Sequence, residues 1–345
     1  MNAKLSVIMP AYNAAKYIER SMDSVLSQSH RELELIIVND GSSDDTAQVV
    51  SRVAERDGRV RLITVENGGP AMARNHGLDS ISADSDYVMF IDADDELLPG
   101  ALDYALSAAV ERSAKLVIFG FTILSADGSR RDYFEPECRL DENSLGQALP
   151  RLYMANMLNQ VWAKLFSAEL LRDESLRFPD YRWGEDRLFI FDCLERTQDV
   201  AVLPDCCYLY VMHPGESLIT RYYDKKHLVC CLADKRMTEL CQRFGTVDDA
   251  PCRYMFVKSV FSCITNLFAA SCTLSRREKR DYVRAILATD QVHQRSKGTF
   301  GGLSVKALCL IMRTRLVWLN MLAFRAVAFA GEALPGLFMA LKHKK

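Results

Sequence analysis

Four times in its first third the chain alternates a short apolar run with a helical pattern, and each run ends in small and polar residues. Leu5-Ser6-Val7-Ile8-Met9 reads as a strand stopped by Pro10, with Ala11-Tyr12-Asn13 as the turn. Ile18, Met22, Val25 and Leu26 follow at helical spacing. Leu33 to Val38 is a second strand, closed by Asn39-Asp40-Gly41-Ser42-Ser43-Asp44-Asp45-Thr46. Gly41 permits a tight turn there, and the Ser and Asp side chains can cap a helix. Val60 to Val65 is a third strand, followed by the loop Asn67-Gly68-Gly69-Pro70 and a helix over Ala71 to Leu78. A fourth strand runs from Tyr87 to Asp92. This alternation predicts an α/β fold, a doubly wound and mostly parallel sheet flanked by helices. Right-handed crossovers put all four strand tips on one edge, where such sheets bind ligands. Tyr12, Asp40, Asn67 and the Asp92–Asp95 group would then line one cleft.

The fourth tip carries the most chemistry. Tyr87-Val88-Met89-Phe90-Ile91 is apolar throughout, and Asp92-Ala93-Asp94-Asp95 follows at once. A buried strand cannot hold unpaired charge in its middle, so the acids must emerge at its C-terminal end. Asp92 and Asp94 are two apart, and in extended chain they would point the same way. Mg²⁺ and Mn²⁺ prefer oxygen ligands and share them with substrate phosphates. The competing reading is an acidic helix start, since Pro99-Gly100 leads into a helical stretch.

Composition narrows the class. The chain has 345 residues, 49% apolar and 26% charged, as in a globular protein of one or two domains. A net charge of −2 argues against a general nucleic-acid binder. Met1-Asn2-Ala3-Lys4 leads straight into a strand pattern and reads as a start without a signal peptide. Eleven cysteines show no zinc-type pair of C-x-x-C units, and they read as small buried hydrophobes in a reducing cytoplasm. No uncharged apolar run reaches the roughly 20 residues that span a bilayer. There is no G-x-x-x-x-G-K-[ST], and the first turn lacks G-x-G-x-x-G. A P-loop and a dinucleotide fingerprint are thereby excluded.

Four segments in order carry a family likeness. They are Val7-Ile8-Met9-Pro10-Ala11-Tyr12-Asn13, Val38 to Thr46, Gly69-Pro70-Ala71-Met72-Ala73-Arg74-Asn75, and Asp92-Ala93-Asp94-Asp95. Together they resemble the family 2 glycosyltransferases of GT-A fold over roughly residues 4–120. The resemblance implies a nucleotide-sugar donor, UDP-linked, and a divalent Mn²⁺ or Mg²⁺ ion. Pro10, Ala11 and Tyr12 would contact base and ribose, with Asn13 and Ala93 beside them. Asp40 would accept a hydrogen bond from uracil N3, and Arg74 would approach the base or the diphosphate. Asp92 would face the ribose, Asp94 would bind the metal, and Asp95 would brace the loop or cap a helix. The residue-level alternatives are a turn former at Asp40 and a surface ion pair at Arg74.

Downstream, Leu116 to Thr122 reads as a strand, Asp127-Gly128 as a turn and Ser144 to Met154 as a helix. Gly184 ends a loop, and Glu185-Asp186 opens a helix through Leu188, Phe191 and Leu194. Acids at a helix start are ordinary dipole partners. They also suit a general base that takes the proton of an attacking hydroxyl. Trp162-Ala163-Lys164-Leu165-Phe166 and Gly184-Glu185-Asp186-Arg187-Leu188-Phe189 resemble bacterial polysaccharide-building members of the family. That resemblance implies a catalytic Asp186, with Glu185 as the alternative, and Trp183 stacked on an acceptor sugar. Asp199 to Leu203 and Tyr208 to Val211 read as two short strands. His213, in a loop resembling the end of the catalytic region, would meet the metal or diphosphate, and Arg221 a phosphate.

From Asp224 the pattern turns helical, near 225–244, 252–272 and 276–289, with a flexible joint over Ser296 to Gly302. The tail from Leu303 to Lys345 is apolar and basic. Lys306, Arg313 and Asn320 recur every seven residues, as on one helix face; Pro335-Gly336 breaks the helix and Lys342-His343-Lys344-Lys345 closes it. Such a helix can lie in the headgroup layer of an anionic membrane, or pack on protein. The expected layout is a catalytic domain over 1–222, with a donor half to about 120, then a helical extension over 223–302 and the tail helix. The expected activity is metal-dependent, inverting transfer of a sugar to a hydroxyl of a glycan or lipid-linked acceptor at the cytoplasmic face of the cell membrane. The competing classes are a degenerate glycan-binding or scaffold protein and a nucleotidyltransferase.

Overall fold

The computed structural model describes residues 3–213, 222–298 and 302–333. Arg221, Pro335-Gly336 and the closing Lys342 to Lys345 lie outside the described residues. The chain divides into two compact units, Met1–Gly215 with Gln242–Gly245, and Glu216–Cys241 with Thr246–Lys345.

In the first unit the strands and helices follow in order as β1 (Leu5–Ala11), α1 (Ile18–Leu26), β2 (Leu33–Asp40), α2 (Thr46–Ala54), β3 (Val60–Val65), α3 (Pro70–Leu78) and β4 (Tyr87–Phe90). Then come β5 (Glu96–Leu97), α4 (Ala101–Arg112), β6 (Leu116–Leu124), β7 (Arg130–Tyr133), β8 (Cys138–Leu140) and α5 (Glu142–Met154). The unit ends with β9 (Lys164–Ser167), α6 (Ala168–Leu171), α7 (Glu185–Arg196) and β10 (Val200–Val211). The strands form one sheet in the order β3-β2-β1-β4-β9-β6-β10-β5, with β7 on β6 and β8 on β10. The first four strands are parallel. Beyond them the sheet is mixed, because β9 returns antiparallel between β4 and β6.

Alternation along β1 sends Leu5, Val7 and Met9 into a core with α1, α2 and α4. On the opposite face Ile36, Val38 and Ala73 form a second cluster. Pro10 does not stop β1. The β4 pairing covers only Leu5 to Ile8, so a missing N–H at Pro10 costs nothing on that side, and Pro10 pairs in register with Val38 on the other. The two short strands expected at 199–203 and 208–211 are one strand, β10, with register shifts after Leu203 and Cys206.

In the second unit α8 (Lys226–Arg243) and α9 (Ala250–Thr265) run antiparallel, with Cys230 against Cys263 at 3.7 Å and Cys241 against Cys252 at 3.9 Å. After α10 (Arg276–Ala288) and α11 (Asp290–Arg295), the tail forms two helices, α12 (Leu303–Arg313) and α13 (Val317–Ala333). Lys306, Arg313 and Asn320 therefore do not share one helix. Arg315 takes a left-handed φ of 56° at the break, and the buried Asn320 amide donates to the carbonyl of Ile311 at 3.1 Å. That carbonyl also accepts from the N–H and the hydroxyl of Thr314, so the Asn320 amide adds to the cap at the end of α12. Among the described residues no helix is long and apolar enough to cross a membrane.

Helix α3 sits directly on β1. A Cβ at Gly77 would lie 2.4 Å from Cγ2 of Ile8. Gly77→Ala is expected to lower stability by about 1–3 kcal/mol, as overpacking does, read as a drop in the urea midpoint of the full chain. An unchanged midpoint would show that α3 is free to slide.

Candidate active site

The strand tips are tied to one another. Asn13, after β1, holds a left-handed φ of 50°. Its Oδ1 accepts from Ser43 N–H at 2.9 Å, and its N–H donates to Ser42 Oγ at 3.0 Å. Ala11 is buried, whereas Tyr12 is 55% exposed. Asp40, at the end of β2, is buried and holds the loop after β3: its two carboxylate oxygens accept from Gly68 N–H at 2.8 Å and Gly69 N–H at 2.9 Å. Asn67 donates to the Asp40 carbonyl at 2.8 Å.

The fourth tip corrects one expectation. β4 ends at Phe90, and Asp92 to Asp95 make a turn closed by Asp95 N–H on the Asp92 carbonyl at 3.1 Å. Asp92 and Asp94 are thus not neighbours along an extended strand. Asp95 points into the protein and is fully buried. It accepts from the Tyr208 hydroxyl at 2.7 Å and from Val211 N–H at 2.9 Å. Burial, then the charges of Asp92 and Asp94, push its pKa well above the usual carboxylate range. Its geometry is that of a brace. Ala93 is buried too, and its carbonyl accepts from Ser21 Oγ at 2.8 Å. Asp94 stays partly exposed, with its carboxylate 3.9 Å from His213 Nε2. His213 stacks on Tyr17 with ring centroids 4.0 Å apart, and its Nε2 is buried without a hydrogen-bond partner.

Arg74 joins the fourth tip to the start of α7. It lies on α3 and is almost fully buried. Nη2 donates to Asp92 Oδ1 at 2.9 Å, while Nη1 donates to Asp186 Oδ1 at 2.8 Å and to Glu185 Oε1 at 3.2 Å. Sequence motifs placed Arg74 near a nucleotide; the structure shows it gripping three carboxylates. Burial alone would lower its pKa, but the charges of Asp186, Asp92 and Glu185 outweigh this and raise it. Burial likewise raises the pKa of Glu185, helped by Asp186 and opposed by Arg74. It raises that of Asp186 as well, against the charge of Arg74. Gly184 supplies the left-handed φ of 79° from which α7 starts, so both acids sit in its first turn.

The segment before β9 supports the acids from behind. Val161 N–H donates to Asp186 Oδ2 at 3.2 Å. Trp162 stacks on Tyr208 at 4.6 Å, and Asp92 N–H donates to the Tyr208 hydroxyl at 3.2 Å. Asn75 exchanges two 2.9 Å hydrogen bonds with the backbone of Phe178, fixing the loop before α7 to α3. Trp183 lies in that loop, with the guanidinium of Arg187 5.3 Å from its ring. Sequence reasoning assigned nothing to Tyr208, Lys164 or Asn75. Asn75 stands beside Arg74 in a quoted motif and was the most findable of the three.

Among the described residues no group of three His, Cys, Asp or Glu side chains is arranged to hold a metal. Asp94 and His213 still fit a shared cation. The imidazole nitrogen lacks a hydrogen-bond partner, Asp92 and Asp95 lie in the same acidic turn as Asp94, and phosphate oxygens can complete such a site.

Comparison with known proteins identifies a glycosyltransferase of GT-A fold. The family model "Glycosyl transferase family 2" matches residues 6–158. An uncharacterized glycosyltransferase of Haemophilus influenzae is 30% identical over 195 residues, 56% of this chain and 73% of that protein. The chain belongs to glycosyltransferase family 2. It spans 62% and 34% of the length of two other curated relatives. Among solved structures, TarS 1-349 of S. aureus in complex with UDP-GlcNAc has a TM-score of 0.67 at 20% identity, covering 96% of this chain and 92% of that one. The mannosyltransferase PcManGT of Pyrobaculum calidifontis, in complex with GDP-Man and Mn²⁺, has a TM-score of 0.52 at 18% identity, covering 96% and 88%. At these identities the likeness is one of fold.

Arg74→Met is expected to destabilise the chain by about 3–5 kcal/mol at pH 8, because it leaves buried carboxylates without their cation. In the variant the folded-state pKa values of Glu185 and Asp186 would lie further above their unfolded values. Folding then takes up protons, and stability recovers as pH falls. Urea unfolding should show the deficit shrinking between pH 8 and about pH 5; a deficit constant with pH would contradict this reading.

Proposed function

We propose that this enzyme moves a sugar from a nucleotide-diphosphate donor, UDP-linked, to a hydroxyl of a glycan or lipid-linked acceptor in bacterial cell-surface polysaccharide synthesis, with inversion. The observation that carries the reading is the Arg74 cluster. It sets the strand-tip acid Asp92 beside the helix-start acids Glu185 and Asp186, so donor-side and acceptor-side groups share one cation. The UDP-GlcNAc complex of TarS and the GDP-Man and Mn²⁺ complex of PcManGT support a nucleotide-sugar donor for a chain of this fold.

In this reading Tyr12, exposed at the β1 tip beside Pro10, Ala11 and Asn13, offers a face to the base. Asp40 keeps a lone pair on each oxygen for the base while it holds the Gly68-Gly69 loop. Asp92 and the Ala93 backbone face the ribose. Asp94 and His213 would hold a divalent Mn²⁺ or Mg²⁺ ion, which supplies charge neutralisation of the leaving diphosphate. Asp186 takes the proton of the acceptor hydroxyl as its oxygen attacks the anomeric carbon and the bond to the diphosphate breaks. Glu185 is the alternative base, and Trp183 stacks on the acceptor sugar.

Asp186→Asn is expected to bind donor within about twofold of the parent and to lose transfer by roughly 10²- to 10⁴-fold. Normal turnover would remove Asp186 as the base, and the same loss in Glu185→Gln alone would move the role there. A base must be deprotonated, and burial raises the pKa of Asp186. The acid limb of the pH–rate profile should therefore lie above the ordinary carboxylate range near about 4. Asp94→Ala should abolish Mn²⁺-dependent donor binding in a calorimetric titration.

The acceptor side of the proposal includes peripheral attachment to an anionic membrane. Leu310, Trp318, Leu322 and Phe329 are exposed on α12 and α13, and so are Lys306, Arg313, Arg315 and Arg325. Apolar and basic side chains together suit the headgroup layer of an anionic membrane. Trp318→Asp with Leu322→Asp is expected to shift the full chain from the vesicle pellet to the supernatant when phosphatidylglycerol vesicles are sedimented. Unchanged pelleting would count against the attachment.

A further inference from the structure

Lys164 is the first residue of β9, between β4 and β6, and its side chain is completely buried. An ammonium in a sheet interior is costly unless its hydrogen bonds are met. Here Nζ turns back on its own chain and donates to the carbonyl of Gln160 at 2.7 Å and to that of Trp162 at 3.4 Å. The backbone between Trp162 and Lys164 passes through Ala163 at a left-handed φ of 55°, a conformation that a Cβ disfavours. The ammonium therefore holds a loop that would not otherwise take this shape.

That loop faces the acids on two sides. Val161 N–H, between the two carbonyls that Lys164 holds, donates to Asp186 Oδ2 at 3.2 Å. The Trp162 ring stacks on Tyr208 and Tyr210, at 4.6 and 5.4 Å, and Tyr208 bonds the Asp92–Asp95 turn. An apolar residue would fill a buried sheet position at lower cost than a lysine. We propose that Lys164 is a positioning residue for Asp186: it clamps Gln160 and Trp162 so that Val161 N–H fixes the carboxylate for proton transfer. The inference rests on the reading of Asp186 as the base. Burial pushes the Lys164 ammonium down to about 7, and the charge of Asp186 opposes that shift, which fits an ammonium set near this carboxylate.

The test compares Lys164→Met with the parent as full chains, at a temperature where circular dichroism shows both folded. Transfer kcat is expected to fall roughly 10- to 100-fold, while donor Kd and acceptor KM move by no more than about twofold, as for a misplaced reacting group. Lys164→Arg, which keeps donors for the two carbonyls, should recover most of the lost kcat. A Lys164→Met variant that is less stable yet turns over normally per folded molecule would overturn the proposal. So would parallel losses in donor binding and kcat. If Lys164→Met does not fold, Lys164→Gln, with a neutral donor, is read by the same split. Asp186→Asn in the same assay separates the two claims. Full transfer by that variant defeats the base assignment, whereas a dead Asp186→Asn beside a fully active Lys164→Met defeats only the clamp. With both claims sound, Lys164→Met should add no further loss to Asp186→Asn.

Discussion

The site depends on one guanidinium shared by three carboxylates. Asp92 lies in the turn after β4, while Glu185 and Asp186 begin a helix more than 90 residues further along the chain, and Arg74 bonds all three. A lysine could not replace it. The planar fork sends Nη1 to the helix-start pair and Nη2 to the strand tip, whereas an ammonium offers a point charge. Burial makes the arrangement demanding, because several kcal/mol of desolvation must be offset by close pairing. Even so, one positive charge meets three acids, with Asp94 and Asp95 close by. Burial first, and then the neighbouring acids, raise the pKa values of Glu185, Asp186 and Asp95. A region short of positive charge is suited to a proton acceptor and to a cation arriving with substrate.

Backbone placement makes the shared contact possible. Gly77 lets α3 lie against Ile8 of β1, so Arg74 can enter the sheet edge from above. Asn75 ties the same helix to the loop at Phe178. Phe178 stacks on Phe189 of α7 at 3.9 Å, and both rings pack edge-on against Phe90 at the end of β4. One aromatic cluster thus sets the spacing between α3, β4 and α7, the three elements that carry the Arg74 contacts. Behind them the Trp162–Tyr208 stack does the same for the Asp92–Asp95 turn.

Much of this was legible from residue pattern. The apolar runs of β1 to β4 and the polar tips after each follow from periodicity, and their common edge follows from crossover handedness. The opening of α7 at Glu185 was readable from Gly184. What pattern could not reach was partner choice. Arg74 reads as a nucleotide contact or a surface pair and not as a buried hub, because its neighbours come from segments far away in sequence. The turn at Asp92–Asp95 was hidden for a related reason. Tyr208 and Val211, on a strand more than 100 residues later, draw Asp95 inward. The tail failed locally, since Asn320 looks like a third polar residue on a heptad face until its amide is seen capping α12.

The most direct test of the shared cation is a double-mutant cycle on stability between Asp92→Asn and Asp186→Asn, run in the parent and again with Arg74→Met. If Arg74 links the two acids, the parent cycle should give a coupling of about 1 kcal/mol or more, and that coupling should change when Arg74 is gone. Additivity within about 0.3–0.5 kcal/mol in both backgrounds would mean that the strand tip and the helix start are independent sites, contradicting the account.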